Sequence, residues 1–507
     1  MIQSLRKIII HPFVFAIIPI TFFVSFIHEI PMNYLIIPIL IISTGISFFW
    51  ILLRGVFKEG QKAGIVLSFL LILFIGFEYL HIGLFGIEVG GINIGNYFIL
   101  LIPFSTIFIL GMYYLIKTKN RLNNISKILN IFSIVLILAI TSYVGINNLE
   151  SNEINNYKKF ELLSLPDSEQ TNHPDIYYII LDEYAGTASL QKDFNFDNSE
   201  FILALSERGF YIPSTNYSNY PYTLLSVSST INMQYLNFLI DEFGTESTDK
   251  NPIYEIEKKN IVMKNLKSKG YHITSFYAGG GDVGSTQFVN EKLCGEDYIF
   301  NQLRSLIMRF TPISYLYPLQ VHHDKSNDIL CTFSELPKVK DRISQPIYVY
   351  AHMMIPHGPY VFDADGNSVT YDPTNIDQST KKKFYLEQLK FTNKKIIETI
   401  DTILSKSQKQ PIIIIQSDHG ERTGIDWDNP TNEMIKQGLN NLNAYYLPNG
   451  VENSLYDTIS PVNIFRIIFN EYFNANFELL DDKYYWAVSD DKPYDLRNVT
   501  KILNEYK

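Results

Sequence analysis

Basic residues are in deficit in this chain: 42 Lys and Arg stand against 52 Asp and Glu, a formal net charge of −10. Binding to nucleic acid needs a basic face for the phosphates, so a nucleic-acid partner is excluded. Cysteine is nearly absent. The two present, Cys294 and Cys331, allow at most one bridge, and two separate buried thiols are the alternative reading. There is no internal repeat of solenoid length, so a stacked-repeat architecture is excluded. The first apolar stretch is followed by no small-residue cleavage site, which opposes a cleaved signal peptide.

What the sequence has in quantity is apolar runs at one end. Five stretches are long enough, or nearly so, to cross a bilayer core: Pro12 to Ile27, Tyr34 to Leu53, Ala63 to Ile82, Tyr97 to Ile116 and Ile125 to Val144. Arg6 and Lys7 precede the first. Arg54, Lys58 and Lys62 separate the second and third, and Lys117, Lys119, Arg121 and Lys127 surround the turn between the fourth and fifth. The loops between carry Glu29 and Glu88 but no Lys or Arg. Positive charge marks the cytoplasmic side, so five spans place everything after about Gly145 outside the membrane. A disulfide would survive there.

The length of 507 residues exceeds one hydrophobic core. The expected division is a transmembrane domain over 1–146, a polar juxtamembrane linker over 147–172, and an extracytoplasmic domain over 173–507. In the outer part short apolar runs alternate with amphipathic segments: Ile176 to Leu181, the stretch after Thr223, Ile261 to Ser268, Ile273 to Tyr277, Ile347 to Ala351, Lys381 to Leu404 and Ile412 to Ile415. That order predicts an α/β sandwich with a mainly parallel central sheet. The clearest helix runs from Ser379 to Gln408, with Phe384, Leu386, Leu389, Ile396, Ile397, Ile400 and Ile403 approximating a packing face.

Two buried-strand signals end in acids: IYYIILDEY delivers Asp182, and PIIIIQSDHGER delivers Asp418 and His419. Ligands gather at the carboxyl ends of strands in an open α/β sheet, so both acids are expected in one crevice. Either acid alone reads as a cap or turn residue; together with His419 they suit one divalent cation, Mn or Zn, with Mg possible. Thr223 opens an apolar helix after Pro221 and Tyr222. It reads either as a simple N-cap or as a hydroxyl nucleophile bound to that cation, where the positive helix end favours an anion. In IYVYAHMMIPHGPYVF, His352 follows a strand and His357 sits in a His-Gly-Pro turn. A histidine so placed can contact a phosphoryl oxygen or protonate a leaving alcohol. His352, His357 and Arg422 are the candidates for substrate contact. His322 and His323 read as surface residues.

In chain order these parts resemble the sulfatase and alkaline phosphatase superfamily, and within it the membrane-anchored lipoteichoic acid synthases and phosphoethanolamine transferases. The likeness spans essentially the whole chain, although a few short motifs carry it. Asp-His-Gly after an Ile run and His-x4-His-Gly-Pro are the specific ones. The resemblance implies Asp182, Asp418 and His419 as metal ligands, Thr223 as the nucleophile on the same ion, and His357 on the transferred group. Those transferases usually carry Glu where Asp182 stands, which keeps Glu183 open as a substitute. No histidine follows His419, so the two-zinc set of alkaline phosphatase is not available and a single metal is implied. The Cys-x-Pro-Ser-Arg pattern of formylglycine sulfatases is replaced by Thr223-Leu-Leu-Ser-Val, which disfavours that sulfate chemistry.

The function expected is transfer of a phospho-alcohol head group, of phosphoglycerol or phosphoethanolamine type, from a membrane lipid through a phospho-threonine to an envelope glycan or lipid acceptor. A hydrolase, either phosphodiesterase, phosphatase or sulfatase, would use the same residues with water as acceptor. A catalytically silent, polysaccharide-binding domain is the reading from another class; the complete set of Asp182, Thr223, Asp418 and His419 opposes it.

Overall fold

A computed structural model describes residues 8–26, 32–84, 87–90, 92–118, 122–150, 160–166, 173–276, 287–294, 317–371, 376–489 and 491–504. The chain divides into two compact units, Met1–Glu153 with Asp297–Gln320, and Ile154–Glu296 with Val321–Lys507. The expected linker over 147–172 lies mostly outside the described residues, and so do the side chains of His322 and His323.

The N-terminal unit carries helices α1 (His11–Phe26), α2 (Met32–Phe57), α3 (Gly60–Leu84), α4 (Tyr97–Lys117) and α5 (Asn123–Glu150). Among the described residues four are long and apolar enough to cross a membrane: Ile39–Phe57, Gly60–His81, Tyr97–Lys117 and Asn123–Ser142. The first expected span is a helix over its 16 described residues, His11–Phe26, and the chain just after it, 27–31, lies outside the described residues. Val56, Phe98 and Ile102 are 73%, 80% and 70% exposed, as side chains facing lipid would be. Within the unit, Asn130 Oδ1 accepts from the backbone N–H groups of Ile10 and His11, satisfying donors at the start of α1 that lipid could not.

The second unit is built on a six-stranded sheet. Its strands are β1 (Ile176–Leu181), β2 (His272–Phe276), β3 (Glu291–Leu293), β4 (Ile347–Met353), β5 (Ile412–Gln416) and β6 (Asn443–Tyr446), in the spatial order β3-β2-β4-β1-β5-β6. All neighbours pair in parallel except β5 with β6. β1 is central, with Ile180 opposite His352 on one side and Gln416 on the other. Continuous β-branched and aromatic runs form these strands because both faces are covered. Tyr177, Ile179 and Leu181 enter one core with Ile413 and Ile415, while Ile176, Tyr178 and Ile180 enter the other with Ile412 and Ile414. Burying each isoleucine contributes roughly 1.5–3 kcal/mol.

Three helices bring residues to the site, α6 (Thr223–Asn232), α8 (Tyr317–Glu335) and α9 (Gln378–Lys406), while α7 (Ile261–Ser268) and α10 (Pro461–Phe473) back the second core. The strong helical period near 379–408 is α9, capped by Asp377, whose side chain accepts from Thr380 N at 2.7 Å. Its buried face differs from the expected one: Tyr385, Gln388 and Thr392 are buried with Leu389, Ile396, Ile400 and Ile403, and Phe384, Leu386 and Ile397 flank the core. The polar members at Gln388 and Thr392 hid that face from a hydrophobic pattern. Cys294, just after β3, is bridged to Cys331 on α8 with Cα atoms 5.7 Å apart, so the two-thiol reading is corrected.

Candidate active site

Asp182 leaves the carboxyl end of β1 with its N–H on Met353 O at 3.0 Å. Glu183 follows with φ of 61°, a left-handed conformation rare for a side chain of that length. The turn splits the two acids. Asp182 Oδ2 lies 3.2 Å from His352 Nε2, and its Oδ1 is buried with no hydrogen-bond partner. Glu183 instead turns to Arg422, with Oε1 accepting from the Arg422 backbone N–H at 3.2 Å and lying 3.5 Å from its Nε.

Asp418 and His419 follow β5. Asp418 Oδ1 accepts from Glu183 N at 3.0 Å and His419 N at 2.9 Å, which leaves Oδ2 to the crevice. Gly420 permits the chain to turn there: a Cβ would meet Gln437 O at 2.1 Å and Asn440 O at 2.6 Å. His419 Nδ1 lies 2.8 Å from Gly420 O. A carbonyl can only accept, so Nδ1 carries the proton and Nε2 presents a bare lone pair. That Nε2 is 3.2 Å from Asp418 Oδ2.

Thr223 is the first residue of α6, and the cap position belongs to Tyr222, which makes no side-chain capping bond. The simple N-cap reading is therefore corrected. Its hydroxyl donates to Asp418 Oδ2 at 2.6 Å and sits 3.3 Å from His419 Nε2.

These distances test the site for a cation. The ligand atoms of Asp182, Asp418 and His419 all lie within 4.8 Å of one another. The single threonine proton is committed to Asp418, so no proton lies between His419 Nε2 and Asp418 Oδ2. Two lone-pair acceptors in contact, with a partnerless carboxylate oxygen beside them, are unfavourable unless a cation sits among them. The donor set, two carboxylates, one imidazole and one hydroxyl, fits a hard-to-borderline divalent ion. Burial opposes ionisation of Asp182, but the charge of His357, then the His352 hydrogen bond and charge, outweigh it and hold the carboxyl far below its ordinary range. Burial, and then the Arg422 charge, keep His419 below its ordinary value.

The His-Gly-Pro turn lies against the same end of the sheet. His357 N donates to Asp182 O at 3.1 Å, its Nδ1 bonds Gly358 O, and its Nε2 is 3.6 Å from Glu183 Oε2. His352, on β4, is only 6% exposed and spends its Nε2 on Asp182. A cavity of about 480 Å³ opens beside Glu183, lined by Tyr222, Arg422, Trp427, Asp428 and Asp491 among others. The Arg422 guanidinium lies over the Tyr222 ring at 5.6 Å, and Tyr222, Trp427 and Trp486 stack in series at 4.9 and 4.8 Å.

Sequence reasoning missed two residues here. Glu421 is buried, with Oε1 accepting from Thr423 N at 2.8 Å and Oε2 from Gln437 Nε2 at 3.1 Å; burial and the Glu183 charge push it up to about 7. Its place in Asp-His-Gly-Glu-Arg was the available signal. Lys325 Nζ donates to His357 O at 2.5 Å and Pro359 O at 2.9 Å. No local pattern around Lys325 marks it.

Strand-end acids and a helix-start hydroxyl thus gather at one edge of a mainly parallel α/β sheet, in a donor set that could hold a metal ion. The chain belongs to the sulfatase family, whose sequence model matches residues 174–458. No curated protein matches it. Among solved structures it is similar to the C-terminal periplasmic domain of EcEptC from Escherichia coli, at 13% identity over 67% of this chain and 97% of that one, with a TM-score of 0.43. It is also similar to the C-terminal periplasmic domain of phosphoethanolamine transferase EptC from Campylobacter jejuni, at 12% identity over 61% and 92% of the two chains and a TM-score of 0.38. The integral membrane lipooligosaccharide phosphoethanolamine transferase A from Neisseria meningitidis matches at 12% identity over 76% of this chain and 72% of that one, with a TM-score of 0.35.

Proposed function

We propose that the protein is a membrane-anchored phosphotransferase that moves a phospho-alcohol head group from a lipid donor to an envelope glycan or lipid, through a phosphoester on Thr223. The observation that carries this reading is the Thr223 hydroxyl, 2.6 Å from Asp418 Oδ2 within the ligand cluster rather than capping its helix. A divalent ion held by Asp182, Asp418 and His419, manganese or zinc with magnesium the harder alternative, supplies Lewis-acid charge neutralisation and makes the threonine hydroxyl more acidic.

In this reading the Thr223 hydroxyl passes its proton to Asp418 Oδ2, which already accepts its hydrogen bond, as its oxygen bonds to phosphorus and the lipid alcohol leaves with a proton from His357. An acceptor hydroxyl then attacks the phosphothreonine, passing its proton to His357, and the Thr223 oxygen leaves with the proton held on Asp418. Arg422 holds nonbridging oxygens with its guanidinium. His352 orients Asp182 in place of the substrate contact expected from the sequence. The threonine at the nucleophile position supports phosphoryl transfer over formylglycine sulfate chemistry.

The anchor serves this chemistry because enzyme and lipid donor share one surface. Residues 1–146 as a five-span anchor, 147–172 as linker and 173–507 as the outer catalytic domain complete the proposal, with orientation drawn from the basic loops. Mass spectrometry of the purified enzyme after exposure to native lipid should find a phospho-alcohol adduct on Thr223. An active preparation whose adduct sits on another residue, or that never forms one, overturns the covalent route.

A further inference from the structure

We infer that Lys325 is a positioning residue for His357: it holds the main chain of the His-Gly-Pro turn so that the imidazole stays at the site. The inference rests on the role given to His357 above. The His357 peptide groups are tied to three separate elements. The N–H goes to Asp182 O at the end of β1, and the carbonyl accepts from Gln388 Nε2 on α9 at 3.0 Å and from Lys325 Nζ on α8 at 2.5 Å. Gln388 also donates to Pro356 O at 3.0 Å, and Lys325 to Pro359 O at 2.9 Å. Lys325 and Gln388 thus brace the turn from both sides of Gly358.

Among the described residues no carboxylate pairs with Lys325 at ion-pair distance, so a surface salt bridge does not explain its placement. Burial lowers it to about 7 against the attraction of Asp182 and Glu183, a cost that the two carbonyl bonds offset. A neutral amine still has two N–H donors, enough for both carbonyls, so the brace survives loss of the charge. The Cys294–Cys331 bridge ties the same helix to the end of β3, which keeps Lys325 in reach. The imidazole hangs from the braced peptide, and a displacement of about 1 Å at a reacting group costs on the order of 100-fold in rate.

The test uses the full-length enzyme in detergent with mixed micelles of phosphatidylethanolamine and phosphatidylglycerol as probe and diacylglycerol release as readout, comparing wild type, Lys325→Met, Lys325→Arg, His357→Ala and the His357→Ala/Lys325→Met pair. Lys325→Met should lower kcat about 100-fold with KM nearly unchanged. Lys325→Arg, which keeps two donors, should recover most of it. In the His357→Ala background, Lys325→Met should add almost nothing, because both changes remove one device. Full additivity, or a Lys325→Met enzyme with normal kcat beside a crippled His357→Ala, overturns the inference alone. A His357→Ala enzyme with normal kcat defeats the role of His357 itself. Should Lys325→Met not fold, Lys325→Gln, which can serve one carbonyl, must fall between wild type and His357→Ala, and a wild-type kcat for it overturns the inference.

Discussion

The Thr223 hydroxyl donates to Asp418 Oδ2 at 2.6 Å across 195 residues of sequence, joining the start of α6 to the end of β5. An N-cap and a nucleophile differ in what their removal does. Thr223→Ala should lower turnover by at least about 10³-fold while changing stability by about 1 kcal/mol, the net value of one hydrogen bond. Thr223→Ser should keep part of the activity. Ser226 is the control, buried in the same helix with its Oγ unpartnered. Ser226→Ala should be close to wild type, and the reverse ranking of the two alanine variants would move the nucleophile deeper into α6.

Metal binding should stabilise the fold through the gap among Asp182, Asp418 and His419. Manganese or zinc at 100 times its Kd would add about 2.7 kcal/mol. Thermal unfolding of EDTA-treated protein should then show Tm rising by about 2–4 °C on adding metal. Asp182→Asn and Asp418→Asn keep the side-chain shape and remove the charge, so both should lose most of the increase. An equal rise in all three proteins would place the ion elsewhere.

The Cys294–Cys331 bridge closes a separation of 37 residues, for which the loop-entropy relation gives about 3–4 kcal/mol. Unreduced, denatured protein should contain no free thiol by Ellman titration, and Cys294→Ser/Cys331→Ser should unfold at lower denaturant. Two titratable thiols in the unreduced protein contradict the pairing.

The membrane orientation has its own measurement. A reporter fused after Lys507 should be active as an alkaline phosphatase fusion, which needs the outside, and dark as a green fluorescent protein fusion. The opposite pattern would overturn the assignment drawn from Arg54, Lys58, Lys117 and their neighbours.

By itself the sequence determined the features that arise from local repetition. Apolar length marked the helices of the N-terminal unit, and buried-strand runs marked β1, β4 and β5 within a residue or two of their observed bounds. The acids that end β1 and β5 were legible because a parallel sheet delivers strand ends to one edge. Tertiary structure alone decided how the side chains at that edge divide their work. The left-handed turn at Glu183 sends Asp182 towards Asp418 and His419 and gives Glu183 to Arg422. Packing of β4 against β1 puts His352 behind Asp182, and the Gly420 carbonyl selects the His419 tautomer. Lys325, Gln388 and the cysteine pairing were hidden for the same reason. Each is specified by a distance between elements far apart in the chain, and hydrophobic periodicity carries no information about such distances.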